Sequence, residues 1–96
     1  MTTSEIIKMR REKILAIAER HGADDVRIFG SVARGEAGPD SDIDFLVRFR
    51  AGTTLLDQAA LIRELEATLG SRVDVVSESG LNTRIRERVL GEAVPL

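Results

Sequence analysis

The sequence predicts an α/β domain in which a small mixed sheet is flanked by helices. Three short runs have the length and the apolar, largely β-branched composition of strands, at residues 26–29, 43–49 and 72–76. Longer segments before, between and after them repeat apolar residues at helical spacing, at residues 4–20, 55–69 and 82–92. Strands that alternate with helices along a chain indicate one sheet with helices packed on it.

The first half of the chain is predicted to form one helix, one strand and one helical turn. The helix begins near Ser4 and ends near Arg20, and its buried side is predicted at Ile7, Ile14, Ile17 and Ala18. Gly22 follows directly, as is common just after a helix C-terminus. The strand 26–29 then leads into Gly30 and Ser31, and residues 31–34 form the helical turn.

The second half is predicted to form two strands and two helices. In the strand 43–49, alternation places Ile43, Phe45, Val47 and Phe49 on one buried face. Thr53 or Thr54 caps the next helix and Gly70 ends it, with a buried stripe of Leu55, Ala59, Ile62, Leu65 and Leu69. The last helix, after strand 72–76, extends to about Glu92 and turns Ile85 and Val89 inward.

Length and composition limit the kind of protein that this can be. The 96 residues suit a single domain over 1–96 with a modest core, for which a homo- or hetero-oligomeric partner is expected. A net charge of −2 and only 3% aromatic residues argue against nucleic acid as the main partner. No apolar run reaches membrane length and cysteine is absent, so we expect a cytoplasmic protein with no membrane partner.

Asp42 and Asp44 are the first candidates for chemistry. They are two residues apart at the start of an alternating strand, so their side chains point to the same face, roughly 7 Å apart. Like charges at this distance repel unless a cation lies between them, and Mg²⁺ prefers such hard oxygen ligands together with phosphate. The turn sequence from Gly38 through Pro39 to Ser41 leaves a simpler alternative, in which both acids only mark a solvated strand start.

Gly30, Ser31 and Arg34 are the candidates for phosphate binding. Glycine permits a close backbone approach, and Ser31 adds a hydroxyl and an N–H, so that the turn can hold phosphate oxygens. Together with the two acids, this turn would hold a nucleoside triphosphate from two sides. Arg34 either contacts phosphate or braces the loop by pairing with a nearby acid, and the sequence leaves both open.

The spacing of these residues resembles a known family. The pattern of Gly30-Ser31, Ala33-Arg34-Gly35 and Ser41-Asp42-Ile43-Asp44 is similar to the signature of the polymerase-beta-like nucleotidyltransferases. The short chain and its ending, residues 86–96, resemble the minimal nucleotidyltransferases (MNT) of HEPN/MNT toxin–antitoxin pairs. The resemblance implies the nucleotidyltransferase fold over essentially the whole chain. It also implies a third catalytic carboxylate at Asp74, although an exposed edge-strand acid is the simpler explanation of that residue.

What the resemblance implies about function is specific. The enzyme would transfer AMP from ATP, with two Mg²⁺ ions held by Asp42, Asp44 and Asp74, to a hydroxyl group of a HEPN-domain toxin. The acceptor is expected to be a tyrosine, and its modification would silence the toxin, which makes the enzyme an antitoxin. Two alternatives remain open, namely an antitoxin that acts by binding alone and keeps a relic site, and a nucleotidyltransferase that modifies small molecules.

Overall fold

The α/β architecture is confirmed by the structure, a computed structural model that describes residues 1–38 and 40–96. The elements, in chain order, are α1 (Thr3–Met9), α2 (Arg11–Arg20), β1 (Ala23–Phe29), α3 (Gly30–Ala33), β2 (Ile43–Phe49), α4 (Leu55–Leu69), β3 (Val73–Ser77), a 3-10 turn (Glu78–Gly80), α5 (Thr83–Glu92) and β4 (Val94–Pro95). Within the described residues, none of the helices combines the length and the apolar character that crossing a bilayer requires.

The four strands form one mixed sheet in the order β3-β2-β1-β4. β1 and β2 are antiparallel, whereas β2 and β3 are parallel and are connected through α4. β4 pairs antiparallel with β1, with Val94 opposite Ile28 and Pro95 opposite Arg27. The sequence did not predict β4, because a strand of two residues has no periodicity and exists only through its pairing with β1.

The core lies between one face of the sheet and the helices α2 and α4. Ile43, Phe45 and Val47 of β2 are at most 1% exposed, which confirms the predicted buried face of this strand. Ile14 and Ile17 of α2 pack in the same cluster. Leu46 is also fully buried, but alternation turns it to the opposite face. It lies outside the main core cluster, as does Val89 of α5.

Three predicted features of the helices were wrong. The single helix predicted from Ser4 is divided at Arg10, whose backbone (φ −101°, ψ 11°) leaves helical geometry between α1 and α2. Leu55, predicted to be buried in α4, is 83% exposed, and the buried stripe instead contains Leu61, which is 0% exposed. Ile85 of α5 is 40% exposed rather than turned inward. Helical spacing predicts which residues share a face, but the packing of the helix decides which neighbouring stripe is covered.

The loop before β2 contains the predicted turn. The Ser41 amide donates to the Gly38 carbonyl over 3.2 Å, and the Gly38 amide donates to the Ser41 hydroxyl over 3.0 Å. Pro39, which belongs to the same predicted turn, lies outside the described residues. The loop leads the chain into β2, so that Asp42 lies directly before this strand and Asp44 is its second residue.

Candidate active site

Gly30 lies where β1 passes into α3, directly beside Asp44 of β2. Phe29, the last residue of β1, is the antiparallel partner of Asp44. The φ angle of Gly30 is +76°, and a Cβ atom on it would lie only 2.2 Å from Oδ2 of Asp44. An L-residue would therefore be strained in its backbone and would collide with the carboxylate. Glycine is the residue that this contact requires.

Ser31 follows Gly30 in the first turn of α3. Its side chain is neither fully buried nor fully exposed, and its carbonyl accepts a hydrogen bond of 2.8 Å from the Glu36 amide. The first amides of a helix have no acceptor within the helix. The amides of Gly30 and Ser31 are thus donors at the end of the sheet where Asp44 lies.

The three predicted carboxylates are at the same end of the sheet. Asp44 of β2 and Asp74 of β3 are direct partners in the parallel pairing, so their side chains share a face. Asp42 lies directly before β2, two residues before Asp44, and its charge raises the pKa of the Asp44 carboxyl. Its Oδ1 is 3.1 Å from Nε of Arg72, and both side chains are well exposed. Asp74 is exposed as well.

Asp44 is the electrostatic centre of this group. Partial burial raises the pKa of its carboxyl, and the negative charges of Asp74 and Asp42 raise it further. The positive charge of Arg34 opposes this shift, and Glu92 adds a smaller contribution that again raises the pKa. The ionised form of Asp44 therefore lies in an unfavourable field, which a cation bound beside it would relieve.

Arg34 braces the loop that follows α3. Its Nε donates to Oε1 of Glu36 over 2.9 Å, and its Nη1 donates to Oε1 of Glu92 at the end of α5. The hydrogen bonds that Arg34 donates to Glu36 and to Glu92 raise the pKa of the guanidinium, which is therefore a permanent cation. Of the two roles left open by the sequence, the structure contains the bracing contact, and the contact of Arg34 with phosphate stays a prediction.

The donor chemistry of the site fits a divalent cation that brings part of its own ligand shell. Mg²⁺ is usually held by one or two carboxylates, and phosphate and water complete its octahedron. Among residues 1–38 and 40–96, no three acidic or imidazole side chains gather closely enough to enclose an ion by themselves. The pairing of Asp42 with Arg72 is consistent with this open arrangement. The carboxylates suit a metal–nucleotide complex better than a free ion.

Comparison with known proteins identifies the family. A family model described as a nucleotidyltransferase domain matches residues 10–96, a stretch that includes Gly30, the three carboxylates and all four strands. The chain belongs to this nucleotidyltransferase family. The resemblance predicted from the spacing of Gly30-Ser31 and Asp42-Ile43-Asp44 is thereby confirmed.

This nucleotidyltransferase has close relatives of nearly its own length. It is 42% identical over 94 residues to protein adenylyltransferase MntA of Thermococcus cleftensis, an alignment that covers 98% of this chain and 95% of the relative. The solved structure of a candidate minimal nucleotidyltransferase matches with a TM-score of 0.89 and 59% identity, covering 97% of this chain and 95% of the other.

A more distant solved structure is a complex of tri-AMPylated Shewanella oneidensis HEPN toxin with MNT antitoxin. One of its chains matches this nucleotidyltransferase with a TM-score of 0.70 and 20% identity, covering 92% of this chain and 69% of the matched chain. At this identity, the likeness shows that the fold is shared.

Glu92 is the neighbour of the site that the sequence did not reveal. It ends α5, lies 58 positions after Arg34 in the chain, and is only 16% exposed. Glu92 lies in the ending, residues 86–96, that resembles the minimal nucleotidyltransferases, but nothing in that stretch linked it to Gly30 or the aspartates. It reaches the site because the next residues form β4, whose pairing with β1 holds the end of α5 near α3. The functional roles of Gly30, Ser31, Arg34, Asp42, Asp44 and Asp74 stay predictions.

Proposed function

We propose that this nucleotidyltransferase is a protein adenylyltransferase that transfers AMP from ATP to a tyrosine hydroxyl of a HEPN-domain toxin. The modification silences the toxin, so that the enzyme acts as its antitoxin. The observation that carries the proposal is the side-by-side placement of Asp44 and Asp74 next to the Gly30 turn. The 42% identity to an adenylyltransferase, MntA, over nearly the whole chain supports the same activity.

In this proposal, each site residue has a distinct task. Gly30 lets the nucleotide approach the backbone. The amides of Gly30 and Ser31 and the hydroxyl of Ser31 hold the outgoing phosphates. Asp42 and Asp44 would hold two Mg²⁺ ions together with the nucleotide, and Asp74 would share the ion nearest the acceptor. When bound, Mg²⁺ neutralises phosphate charge and lowers the pKa of a hydroxyl that coordinates to it. To hold an ion, Asp42 would have to leave its pairing with Arg72.

The proposed reaction replaces one phosphorus–oxygen bond by another. The acceptor oxygen forms a bond to the α-phosphorus of ATP, while the bond from that phosphorus to the oxygen bridging to the β-phosphate breaks. Pyrophosphate leaves with that bridging oxygen, and Asp74 accepts the proton of the acceptor hydroxyl. Because Asp74 is exposed, a hydroxyl on a partner protein can approach it from solvent. Placement and charge then suffice, and no protein nucleophile is required.

The proposed partner is a separate protein that brings its own acceptor residue. The carboxylate face is open at Asp42 and Asp74, and such a face suits an acceptor presented on the surface of another folded domain. The fold shared with a chain from a complex of an AMPylated HEPN toxin and an MNT antitoxin supports this choice. In this proposal the protein is a single catalytic domain that forms a hetero-oligomer with the toxin. The complex is located in the cytoplasm, where ATP is supplied.

A labelling experiment tests the proposal directly. The purified protein is incubated with ATP, Mg²⁺ and the HEPN-type product of a neighbouring gene, and the toxin is examined by mass spectrometry for added AMP. We expect AMP on a tyrosine, and its loss in the variants Asp42→Ala and Asp44→Ala. The control is Asp24→Ala, because Asp24 is an exposed acid at the other end of β1, where it pairs with Arg50. Labelling that survives both site variants would reject the proposed roles.

An antitoxin that acts by binding alone is the second candidate. The observation in its favour is that Asp42 pairs with Arg72 and that no three described acidic or imidazole side chains enclose a metal position. In that case the toxin would be neutralised without gaining AMP. Neutralisation that persists in the Asp42→Ala and Asp44→Ala variants, with unmodified toxin, would favour this second function over the enzymatic one.

A further inference from the structure

Glu92 occupies an unusual position for an acidic residue. Its side chain is only 16% exposed, although it ends α5, a helix that packs against α3 beside the candidate active site. A shielded carboxylate beside other acids is unfavourable unless a cation compensates it. The compensating cation is Arg34, whose Nη1 donates directly to Glu92. The two residues thus form a charge pair at the border of the candidate active site.

The fold holds Glu92 more firmly than the other acid bonded to Arg34. Glu36 is 59% exposed and lies in the loop only two positions after Arg34. Glu92 instead ends α5 and is followed directly by β4, which is hydrogen-bonded to β1. The Ala93 amide also donates to the Val89 carbonyl over 2.9 Å, and Val89 is the buried residue of α5. Of the two acids bonded to Arg34, Glu92 is therefore the one whose backbone is held by regular secondary structure on both sides.

The hydrogen bonds of Arg34 leave one of its nitrogens available. Nε donates to Glu36 and Nη1 donates to Glu92, so Nη2 is the nitrogen without a hydrogen-bond acceptor among residues 1–38 and 40–96. The side chain is 47% exposed, and the Arg34 amide is bonded to the Gly30 carbonyl over 3.1 Å. The backbone of Arg34 therefore lies one helical turn after Gly30, the residue that contacts Asp44, and the exposed guanidinium has a charged donor open to a ligand.

We propose that Glu92 is a positioning residue that orients Arg34 so that its Nη2 donates to a phosphate oxygen of the bound nucleoside triphosphate. The inference rests on the proposed function and extends it to a residue outside the Gly-Ser and Asp-x-Asp pattern. A planar guanidinium held by acids on two of its nitrogens presents the third in a defined direction, whereas a free arginine would first have to be ordered.

Nucleotide binding without turnover is the appropriate test. The probe is the ATP analogue with a methylene bridge between the α- and β-phosphates, titrated with Mg²⁺ into the full chain by calorimetry. The variants are Arg34→Gln, Glu92→Gln, their combination, and Glu36→Gln as the matched control, with a melting curve for each to establish that it is folded. Glutamine keeps the size of glutamate and removes its charge.

We expect the dissociation constant to rise about tenfold in Arg34→Gln, which loses a charge-assisted hydrogen bond, and by roughly three- to tenfold in Glu92→Gln. The double variant should be no weaker than Arg34→Gln alone, because Glu92 acts only through Arg34. Glu36→Gln should change the constant less than Glu92→Gln. In labelling assays, Glu92→Gln should raise KM for ATP and leave kcat within about twofold.

Other results would overturn the inference. If Glu92→Gln binds the analogue as tightly as the unmodified protein, or if the effects of the two single variants simply add, Glu92 does not act through Arg34. A folded Arg34→Gln variant with unchanged affinity would also reject it. These outcomes leave the proposed function intact. Failure of the unmodified protein to bind the analogue would overturn the proposed function together with the inference.

Discussion

The backbone of Gly30 lies against the carboxylate of Asp44 so closely that no side chain fits between them. A Cβ atom at Gly30 would approach Oδ2 of Asp44 to 2.2 Å. The contact joins the turn that ends β1 to the acid that begins β2, although the two residues are fourteen positions apart in the sequence. A substitution at either residue will therefore alter the position of the other.

Replacement of Gly30 by alanine should disrupt the site more than the fold. The positive φ angle costs an alanine roughly 1 kcal/mol, and the new Cβ would in addition push the Asp44 carboxylate from its position. Because displacement of a site group by about 1 Å can cost two orders of magnitude in rate, AMP transfer should fall about 100-fold. Labelling kinetics and thermal unfolding measure the two effects separately.

Gly35→Ala is the matched control for that variant. Gly35 has nearly the same conformation, with φ of +73°, but apart from its two chain neighbours no atom of residues 1–38 and 40–96 lies within 4 Å of where its Cβ would be. It should lose roughly the same 1 kcal/mol of stability from backbone strain and retain most of the activity. Equal loss of activity in the two alanine variants would show that the contact of Gly30 with Asp44 is unimportant.

Asp44→Asn should make the protein more stable at neutral pH while abolishing AMP transfer. Burial and the charges of Asp74 and Asp42 raise the pKa of Asp44 above its ordinary value of 3.8. The folded protein therefore binds this proton more tightly than the unfolded chain, and stability falls as the pH rises from 3.8 through the raised pKa. At neutral pH the ionised Asp44 still lowers the stability of the folded protein. Asparagine carries no charge at this pH and does not have this effect.

Melting temperatures of Asp44→Asn and the unmodified protein, measured from acid to neutral pH, test this sign. We expect the variant to melt at a higher temperature at neutral pH, with a difference that disappears in acid, where both side chains are uncharged. Asp24→Asn is the control, since Asp24 is paired with Arg50 over 2.6 Å and gains nothing from neutralisation. A lower melting temperature for Asp44→Asn at neutral pH would contradict the prediction.

Arg72→Gln should reduce the concentration of Mg²⁺ that the enzyme needs. Arg72 now pairs with Asp42 over 3.1 Å and must be displaced before that carboxylate can bind a cation. An exposed pair of this kind contributes only about 0.2–1 kcal/mol, so half-maximal labelling should occur at about 1.4- to 5-fold less Mg²⁺. Arg50→Gln, which breaks the pair with Asp24, should leave the requirement unchanged. A higher requirement in Arg72→Gln would mean that Arg72 itself helps to bind the nucleotide.

Two leucines of α4 should respond very differently to truncation. Leu61 is 0% exposed in the core, so Leu61→Ala should lower the free energy of unfolding by about 2–5 kcal/mol. Leu55 is 83% exposed, and Leu55→Ala should change the free energy of unfolding by less than about 0.5 kcal/mol. Denaturant unfolding of both variants measures these values. Comparable losses would indicate that the first turn of α4 is covered in solution.

The sequence by itself determined the parts of this protein that follow from local geometry. Alternation along residues 43–49 predicted the buried face of β2, because side chains of a strand point alternately to its two sides. The same rule predicted that Asp42 and Asp44 point to one side. The spacing of these acids from Gly30 predicted the family. Residue 30 is visible in the sequence as part of this pattern because its positive φ angle and its close approach to Asp44 restrict the position to glycine.

Only the tertiary structure decided which distant residues meet. The register of β2 with β3 placed Asp74 beside Asp44, and the short pairing of β4 with β1 carried Glu92 to Arg34. Packing likewise buried Leu61 rather than Leu55, because the stripe of α4 that is covered depends on where the helix rests on the sheet. Strand register and helix docking are set by the sum of many contacts between segments far apart in the chain, and no local spacing encodes that sum.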